Sequence, residues 1–431
     1  MDTTAVETVQ PCPDCGAEVR CDARFVTWCA ACDWNVDPGR PEEKRGRLAR
    51  ARRALAQRHG ERLLMELGAG GNLRARRDSS AVLAFALALV VHALTLAVIA
   101  GGVWFLVRGW GGWGMVPGVL LLALGWSLRP RFGRPPKNTP LLRRADAPEL
   151  FAVVDEVARV AGTRGVDAIV VDDLIHAAVG SYGVRGRRLL FLGLPLWEIL
   201  SPQQRIALLG HEMGHYVNGD TRHGRIVGTA YRSLLTWHYY FVPGDHDPLD
   251  EVGAFQLIVD LLYVVPRLLV LGVLTVLDRL TMRASQRAEY LADRLAATAG
   301  STEAALELMD RLLIADSAAV TLQREANRTA LKSPRGRQET NAWAEALWER
   351  LAADLASVPE HERERQRRAS VLRGHSVDST HPPTHLRHAC LLIGDAVPPA
   401  VVTDAEREHR IASELAAART RVALQILQDG Y

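Results

Sequence analysis

Apolar positions in this chain collect in long stretches between strongly polar segments. Two of these stretches, Ala81 to Val107 and Gly109 to Leu128, contain no formally charged residue and are separated by Arg108 alone. A helix needs about 20 apolar residues to cross the hydrocarbon core of a bilayer, so both stretches are long enough. Tryptophan and glycine concentrate around the junction, as is typical of a turn near a membrane interface. The pattern predicts a transmembrane hairpin over residues 79–130.

Basic residues flank both ends of this hairpin. They are Arg74, Arg76 and Arg77 before it, and Arg129, Arg131, Arg134 and Lys137 after it. Positive charge marks the cytoplasmic side of membrane helices, so both ends are predicted to be cytoplasmic. The preceding residues 41–78 interleave arginine with leucine, which predicts a basic juxtamembrane helix attracted to anionic lipid. We therefore expect a multi-pass protein of the cell membrane with its N-terminus in the cytoplasm.

Four of the six cysteines form two Cys-x-x-Cys pairs near the N-terminus, Cys12 with Cys15 and Cys29 with Cys32. Two such pairs predict a tetrahedral thiolate site, and hence a zinc ribbon over residues 1–40 that holds one structural zinc ion. Thiolates need a reducing compartment, which agrees independently with a cytoplasmic N-terminus. The net charge of +3 is too small to indicate a polyanionic partner, so a structural or docking role is favoured over nucleic-acid binding. The partner of the ribbon and the role of Cys21 stay open.

After the hairpin, short strand patterns are followed by longer helix patterns. Apolar runs at Ala168 to Asp172 and Leu189 to Leu194 predict a small β-sheet, and the periodic segments after them predict helices. The main folded domain is expected at residues 149–396 and an amphipathic C-terminal helix at residues 403–431. The expected fold class is mainly α with a small β-sheet, combined with transmembrane helices and the N-terminal zinc ribbon.

Two further apolar stretches interrupt this main domain. Val227 to Val242 and Gly253 to Leu277 each contain charged or titratable residues. Their composition leaves open whether they span the bilayer or lie on its surface. Together they predict a membrane insertion over residues 225–279.

A helix with clear boundaries carries the most specific motif. Ser201, Pro202 and Gln204 form a capping box with proline at the first helical position, and Asn218-Gly219 is a typical helix end. The motif His211-Glu212-Met213-Gly214-His215 therefore lies on a helix. Histidines four residues apart share one helix face and can bind one metal ion, while the glutamate can take a proton from water activated by that metal. The motif predicts a catalytic zinc site with Glu212 as its base.

A second motif supplies the ligand that the first one lacks. A catalytic zinc ion usually has three protein ligands, and Glu289 is the predicted third, beside His211 and His215. Asp293 follows one helical turn later, where its carboxylate can orient a ligand histidine. Ligands of one ion lie on one side of the membrane, so an even number of crossings is expected between the two motifs.

The two motifs, with the hairpin before them and apolar segments between them, resemble the HtpX-like membrane zinc metallopeptidases, gluzincins related to the CAAX prenyl endopeptidases. Three stretches carry the resemblance: Leu208 to Asp220 (LLGHEMGHYVNGD), Ser285 to Asp293 (SQRAEYLAD), and Thr380 to Pro383 (THPP) with Arg387. The resemblance implies an HExxH gluzincin catalytic domain with one catalytic zinc ion. It also implies that His381 and Arg387 line the site and steady the substrate or the developing oxyanion. The role of Asp220 stays open.

Two features depart from the family pattern. The family places an Asn-Ala pair on the edge strand that aligns the substrate backbone, whereas this chain has Ile175-His176-Ala177-Ala178 there. The zinc ribbon is an addition that the resemblance does not explain. The departure on the edge strand leaves open which groups hydrogen-bond the substrate backbone.

These observations favour a zinc-dependent endopeptidase that acts on membrane or misfolded proteins at the cytoplasmic face of the membrane. Its expected partners are polypeptide substrates and the lipid bilayer. The alternative is a non-catalytic membrane scaffold that keeps zinc for folding and docks partners through the ribbon. Glu212 favours the enzyme, because a structural zinc site has no need of a base. A nucleic-acid-binding protein is not expected, because that function leaves the apolar segments unexplained.

Overall fold

Helices form most of the chain in the computed structural model, which describes residues 8–38, 47–70, 79–130, 136, 139–183, 185–219, 222–242, 254–332, 337–373 and 382–430. The strands are β1 (Thr8–Pro11), β2 (Glu18–Cys21), β3 (Leu141–Leu142), β4 (Ala168–Asp172), β5 (Ala177–Tyr182) and β6 (Arg187–Gly193). The helices are α1 (Arg47–Gly68), α2 (Ser79–Arg108), α3 (Met115–Leu128), α4 (Pro148–Ala161), α5 (Leu194–Ile199), α6 (Pro202–Gly219), α7 (Arg222–Tyr240), α8 (Ala254–Gly300), α9 (Thr302–Leu313), α10 (Ala315–Lys332), α11 (Arg337–Ala356), α12 (Glu360–Arg373), α13 (Thr384–Leu391) and α14 (Ala405–Asp429). The prediction of a mainly helical protein with small sheets is confirmed.

The chain divides into two units. The ribbon–sheet unit comprises Met1–Arg74, Arg134–Val217 and Gln286–Tyr431, and the apolar unit comprises Ala75–Gly133 and Asn218–Ser285. The boundaries predicted for the individual domains stay a prediction. Each unit is built around its own apolar core.

A four-stranded sheet organises the ribbon–sheet unit. Its strand order is β3-β4-β6-β5, with β4 parallel to β6 and each outer strand antiparallel to its neighbour. β4 is buried along its whole length, whereas β5 is half-buried and pairs on one side only within the described chain. β5 is therefore an edge strand, and the backbone groups on its outer side can pair with another extended chain.

Apolar residues at helical spacing explain how α4 covers this sheet. Leu150, Phe151, Val154 and Val157 are fully buried on one face of the helix. Gly162 ends the helix in a left-handed conformation with φ of 76°, and its N–H reaches the last carbonyl groups. The same core continues through α6, the C-terminal turns of α8, and α9, α10, α11 and α14.

The helix that carries the first motif begins where the sequence predicts. The Ser201 hydroxyl accepts a hydrogen bond from the Gln204 N–H at 3.3 Å, and the Gln204 side-chain oxygen accepts one from the Ser201 N–H at 3.0 Å. This reciprocal pair confirms the predicted capping box. The Gln204 amide also donates to Glu307 at 2.8 Å, which ties the start of α6 to α9.

The N-terminal ribbon consists of the β1–β2 hairpin and two turns of the same construction. In the first turn the Cys12 N–H donates to the Ala17 carbonyl at 2.7 Å, and in the second the Cys29 N–H donates to the Trp34 carbonyl at 3.0 Å. Each turn includes a left-handed residue, Gly16 with φ of 75° and Asp33 with φ of 59°. The repeated geometry aims both Cys-x-x-Cys pairs at one point.

The ribbon packs against α12 of the same unit. Arg368 donates to the Ala30 carbonyl at 2.7 Å and to Asp33 at 2.8 Å, and Arg365 donates to the Val36 carbonyl at 2.7 Å. Trp28 of the ribbon is buried in a cluster that includes Ala369 of α12. The ribbon is therefore a built-in part of this unit and uses its indole side chain for contacts within the chain.

The apolar unit contains the predicted hairpin with a shorter second limb. α2 and α3 run antiparallel, since Gly102 contacts Leu122 and Gly118 contacts Leu106. α2 is 30 residues long, whereas α3 has 14 residues and is only about 21 Å long. The second limb becomes helical at Met115 because the preceding glycine-rich segment, residues 109–114, forms the tight turn between the helices.

One long helix carries both the second apolar stretch and the second motif. α8 is 47 residues long and continues past Pro266. Two described helices are long and apolar enough to cross a membrane, Ser79–Arg108 and the part of α8 from Leu261 to Gly300. In the apolar unit, α7 packs through Ala230, Leu234 and Trp237 into a cluster with α2 and α8. These apolar helices indicate that the protein associates with membranes.

Candidate metal centre and active-site cavity

Three potential metal ligands converge from two helices of the ribbon–sheet unit. His211 and His215 lie one turn apart on α6, and Glu289 lies on α8. The two histidine Nε2 atoms are 3.2 Å apart, and each is 3.7 Å from an oxygen of the Glu289 carboxylate. Two imidazoles and one carboxylate aimed at one point form the donor set of many catalytic zinc sites. The arrangement can hold one metal ion.

Glycines of α6 set the distance between the two ligand-bearing helices. A Cβ atom at Gly210 would lie 2.9 Å from the Ala299 Cβ, and one at Gly214 would lie 2.7 Å from the Ala292 Cα. Any larger side chain would push the helices apart. Gly214 lies within the turn that presents the two histidines, so this contact controls how closely Glu289 approaches them. Sequence reasoning missed this role, because a glycine within a motif does not reveal what it faces.

A buried carboxylate and a guanidinium support His211 from behind. Asp293 is 1 % exposed, and one of its oxygens lies 3.0 Å from the His211 Nδ1 atom. Arg387 donates two hydrogen bonds to the same carboxylate, at 2.6 and 2.9 Å. An Nδ1–H group that donates to Asp293 leaves the Nε2 atom of His211 as the metal-binding nitrogen. Asp293 and Arg387 can thus fix the tautomer and orientation of this ligand.

Glu212 lies beside the potential metal ligands without being one of them. Its side chain is 5 % exposed and lines the same cavity as His211 and His215. Burial raises the pKa of the Glu212 carboxyl, and the nearby Glu289 carboxylate adds to the increase, while the His211 side chain opposes it. A carboxylate with a raised pKa accepts a proton from water more readily, which suits a general base.

These groups open into a cavity of about 460 Å³. Its lining includes residues 175–179 at the start of the edge strand, and Leu308, Met309 and Leu312 of α9. A mainly apolar cleft with a few polar groups at its base is typical of a substrate site. The two histidines and Glu212 therefore face a space that can admit part of a polypeptide.

Comparison with known protein families identifies the chain. Residues 144–392, more than half of its length, match the family model of peptidase family M48. The chain belongs to peptidase family M48. The resemblance predicted from its motifs is confirmed at the level of this family, and the protein is a metallopeptidase, a hydrolase of peptide bonds. The comparisons with curated proteins and with solved structures each gave no match.

Membership of the M48 family implies a catalytic zinc ion, and the side chains present fit one. Two neutral imidazole nitrogens and a carboxylate oxygen, with ligand atoms all within 4.8 Å of one another, can complete three sides of a zinc coordination sphere. His211 and His215 also line the cavity, from which water and a substrate carbonyl could approach a bound ion. The choice of the individual ligands stays a prediction.

The structure locates only some of the other residues predicted for the M48 site. Arg387 lines the cavity with its guanidinium directed at Asp293, and its nearest Glu289 oxygen is 3.8 Å away. His381, predicted to contact the substrate, and Asp220, whose role was left open, both lie outside the described residues.

Two side chains of the M48 site were missed from the sequence. One is His176, which lines the cavity and binds Asp172 through its Nε2 atom at 3.0 Å. The signal was present as a departure from the family's Asn-Ala pair, but the pairing with Asp172 depends on the turn between two strands. A histidine on the cavity wall adds a potential hydrogen-bond donor that the two motifs do not supply.

The other missed residue is Tyr216, which follows His215. Its hydroxyl donates to the Gly180 carbonyl at 2.7 Å and accepts from the Leu189 N–H at 3.1 Å, so it bridges β5 and β6. Burial raises the pKa of this phenol to about 12, so the hydroxyl stays protonated over the physiological range. Tyr216 thereby ties the edge strand to the helix that carries the potential ligands.

The four ribbon cysteines also converge on one point. Cys12, Cys15, Cys29 and Cys32 form a cluster that can hold a second metal ion. The sulfur atoms of Cys12 and Cys32 are 3.8 Å apart, and those of Cys15 and Cys29 are 3.6 Å apart. These distances are typical of thiolates around one tetrahedral zinc ion. The four-cysteine cluster supports the predicted zinc ribbon, in which Cys21 is not one of the clustered residues.

Proposed function

We propose that the protein is a zinc-dependent endopeptidase that cleaves membrane or misfolded proteins at the cytoplasmic face of the membrane. The observation that carries this proposal is the convergence of His211, His215 and Glu289 beside Glu212, at a cavity that the edge strand β5 helps to line. A non-catalytic zinc site needs neither a buried carboxylate outside the ligand set nor a cleft that opens onto it.

Each residue of the site is proposed to have a separate role in the reaction. Zinc, when bound, supplies Lewis acidity to the scissile carbonyl and to the attacking water. Glu212 takes the proton from that water and can pass it to the leaving amine. Asp293 and Arg387 hold His211 in its ligand orientation. His381 is proposed to donate to the carbonyl oxygen as it gains negative charge, which Arg387 can favour through its positive charge.

The edge strand is proposed to bind the substrate backbone. The His176 carbonyl accepts from the Gly193 N–H at 3.0 Å and so points towards β6. Because backbone groups alternate along an antiparallel strand, those of Ala177 and Val179 point to the open edge. An extended polypeptide can pair with these groups and pass over Glu212. Such backbone pairing suits an enzyme that accepts unfolded segments of varied sequence.

Charge and cysteine chemistry support the cytoplasmic assignment. Arginine residues flank both ends of the hairpin, and the four clustered thiols need reducing conditions to bind zinc. A thiol reagent that does not cross membranes is expected to label Gly112→Cys in the hairpin turn of intact cells. It is expected to label Asp395→Cys only after permeabilisation. Labelling of Asp395→Cys in intact cells would place the peptidase on the outside and refute the assignment.

The enzymatic proposal is tested with Glu212→Gln, which keeps the side-chain volume and removes the base. Cleavage of an unfolded fluorescent polypeptide by purified protein in detergent is expected to fall by about 10²–10⁴-fold. Zinc content is expected to stay unchanged, because Glu212 is not a ligand. Glu303→Gln, at an exposed position of α9, is the matched control and should cleave like the parent.

Two results would contradict the proposal. If Glu212→Gln cleaves as fast as the parent, the glutamate is not the base. If neither protein cleaves any of a broad set of unfolded and membrane substrates while both bind zinc, the scaffold alternative is favoured.

A further inference from the structure

His176 is held rigidly at the wall of the active-site cavity. It directly precedes β5, its N–H donates to the Leu174 carbonyl at 3.0 Å, and its carbonyl accepts from Gly193. Both backbone groups are therefore fixed, and the side chain, about one-third exposed, lines the cavity together with Glu212. A substrate that pairs with the edge strand at Ala177 would pass directly beside this imidazole.

Asp172 orients the imidazole and leaves one nitrogen facing outward. Asp172 ends β4 and is buried, with one oxygen accepting from the Leu174 N–H at 3.1 Å and the other 3.0 Å from the His176 Nε2 atom. A carboxylate acceptor keeps a proton on Nε2. Nδ1 has no hydrogen-bond partner among the described residues, so it is the nitrogen that can bind a ligand.

The charge of the pair favours a cationic ring. The hydrogen bond to Asp172 raises the pKa of His176, and Glu212 and Asp173 add to the increase, while burial opposes it. Among the described side chains that line the cavity, Arg387 is another cation, but its guanidinium is engaged by Asp293. The protonated form of His176 therefore offers a substrate a cation with one N–H group, on Nδ1, that is not directed at Asp172.

We propose that His176, oriented by Asp172, binds a carboxylate of the substrate, so that the peptidase prefers polypeptides with a negative charge next to the scissile bond. The proposal rests on the peptidase function proposed above and names its substrate class. A charged acceptor is favoured over a neutral carbonyl, because a carboxylate adds the attraction between opposite charges to the hydrogen bond from the cationic ring. The carboxylate can belong to an aspartate or glutamate side chain, or to the C-terminus of the substrate.

Peptide binding tests this proposal without relying on turnover. The full-length, zinc-loaded Glu212→Gln protein in detergent is titrated with fluorescent peptides of one sequence, and the peptide Kd is measured by anisotropy. Glutamate, glutamine or lysine is placed at each central position in turn. Each peptide is made with a free or an amidated C-terminus, so the set separates a side-chain carboxylate from a terminal one.

The expected result is a carboxylate preference that depends on His176. A peptide with the favoured carboxylate should bind about tenfold or more tightly than its neutral counterpart. His176→Gln, added to the same parent, should abolish this difference while zinc content and binding of the neutral peptide stay unchanged. His409→Gln, at an exposed position of α14, is the matched control and should keep the full preference.

Two further variants keep the test decisive. His176→Asn replaces the imidazole by a smaller amide, and it takes the place of His176→Gln if that protein fails to fold. Asp172→Asn should weaken the preference, because a neutral amide favours the cationic ring less than a carboxylate does. Asp172 acts through His176. Its substitution should therefore lower the ratio between the Kd of the neutral peptide and the Kd of the acidic peptide, and it should leave the Kd of the neutral peptide unchanged.

The outcomes distinguish this proposal from the proposed function. Equal binding of acidic and neutral peptides by the parent, or a preference that survives both His176 variants, would overturn the role of His176. If the wild-type protein cleaves a neutral peptide without any carboxylate preference, the peptidase function stands and this inference fails. If the preference depends on His176 but no peptide is cleaved, the carboxylate site stands and the enzymatic proposal fails.

Discussion

The Asp293 carboxylate contacts two different side chains, the His211 imidazole and the Arg387 guanidinium. One of its oxygens lies near the His211 Nδ1 atom, and the carboxylate also receives two hydrogen bonds from Arg387. Burying the carboxylate without a cation would cost folding free energy, and burying the guanidinium without an anion would do the same. Each charge of the Asp293–Arg387 pair therefore offsets the burial cost of the other, while Asp293 holds His211 in place. Arg387, which sequence resemblance links to the substrate, has its strongest described contacts with the carboxylate behind the metal site.

The support that Asp293 gives to His211 can be tested by substitution. Asp293→Asn keeps the shape of the side chain but removes the charge that orients His211 and pairs with Arg387. Zinc affinity of the peptidase site should fall by about 10–100-fold. Titration with a chromophoric chelator measures this affinity by following the loss of zinc from the peptidase site. Asp395→Asn, at an exposed position, is the control, and equal zinc affinity in the two variants would show that Asp293 does not support the ligand.

Among the helices, the spacing of α6 and α8 decides whether the three potential metal ligands can meet. Gly214→Ala places a Cβ 2.7 Å from the Ala292 Cα, so the helices must separate. We expect a loss of about 1–3 kcal/mol of unfolding free energy and weaker zinc binding. Gly228→Ala in α7 meets no atom within 4 Å and should instead stabilise its helix by about 0.5–1 kcal/mol.

Thermal unfolding in detergent, followed by circular dichroism, measures both glycine variants. The sign of the change is the test. A Gly214→Ala protein that melts at or above the temperature of the parent would mean that α6 and α8 are not in close contact.

The contact between the ribbon and α12 contains a buried ion pair that can be tested by substitution. Arg365 and Glu362 form a buried ion pair at 2.7 Å, and Arg365 also binds the ribbon backbone at Val36. Arg365→Ala leaves Glu362 buried without its cation and should cost about 3–5 kcal/mol. Arg363→Ala removes a partner of the exposed Glu360 and should cost about 0–1 kcal/mol.

Hydrogen exchange of the ribbon amides reads out this contact directly. Arg365→Ala should expose the amides around Val36 to faster exchange, and Arg363→Ala should leave them protected. Unchanged protection in both variants would mean that the ribbon is stable without α12.

Features encoded within a few residues could be predicted from the sequence. The capping box of Ser201 and Gln204 and the paired cysteines are local, so their spacing was sufficient. The helical start of α3 was missed because apolar composition does not distinguish a glycine-rich turn from a membrane helix. The pairing of Asp172 with His176 depends on how two strands are joined, and spacing alone did not reveal it. The packing of the ribbon on α12 joins residues more than 300 positions apart, and no local pattern encodes it.

At the scale of the whole molecule, the two potential metal sites belong to one unit and are built differently. The cysteine site is local, since its four thiols come from the first 32 residues. The peptidase site draws on α6 and α8, and the chain between its ligands passes through the apolar unit. The metallopeptidase function therefore depends on a contact between distant segments, while the ribbon can form its site from neighbouring turns.

One zinc ion held by His211, His215 and Glu289, and another held by the four ribbon cysteines, would give two ions per chain. Mass spectrometry of the purified protein counts these ions. We expect two ions in the parent and in Glu212→Gln, and one ion each in Glu289→Gln and in Cys29→Ser. Two ions retained by a folded Glu289→Gln protein would contradict the assignment of the peptidase site.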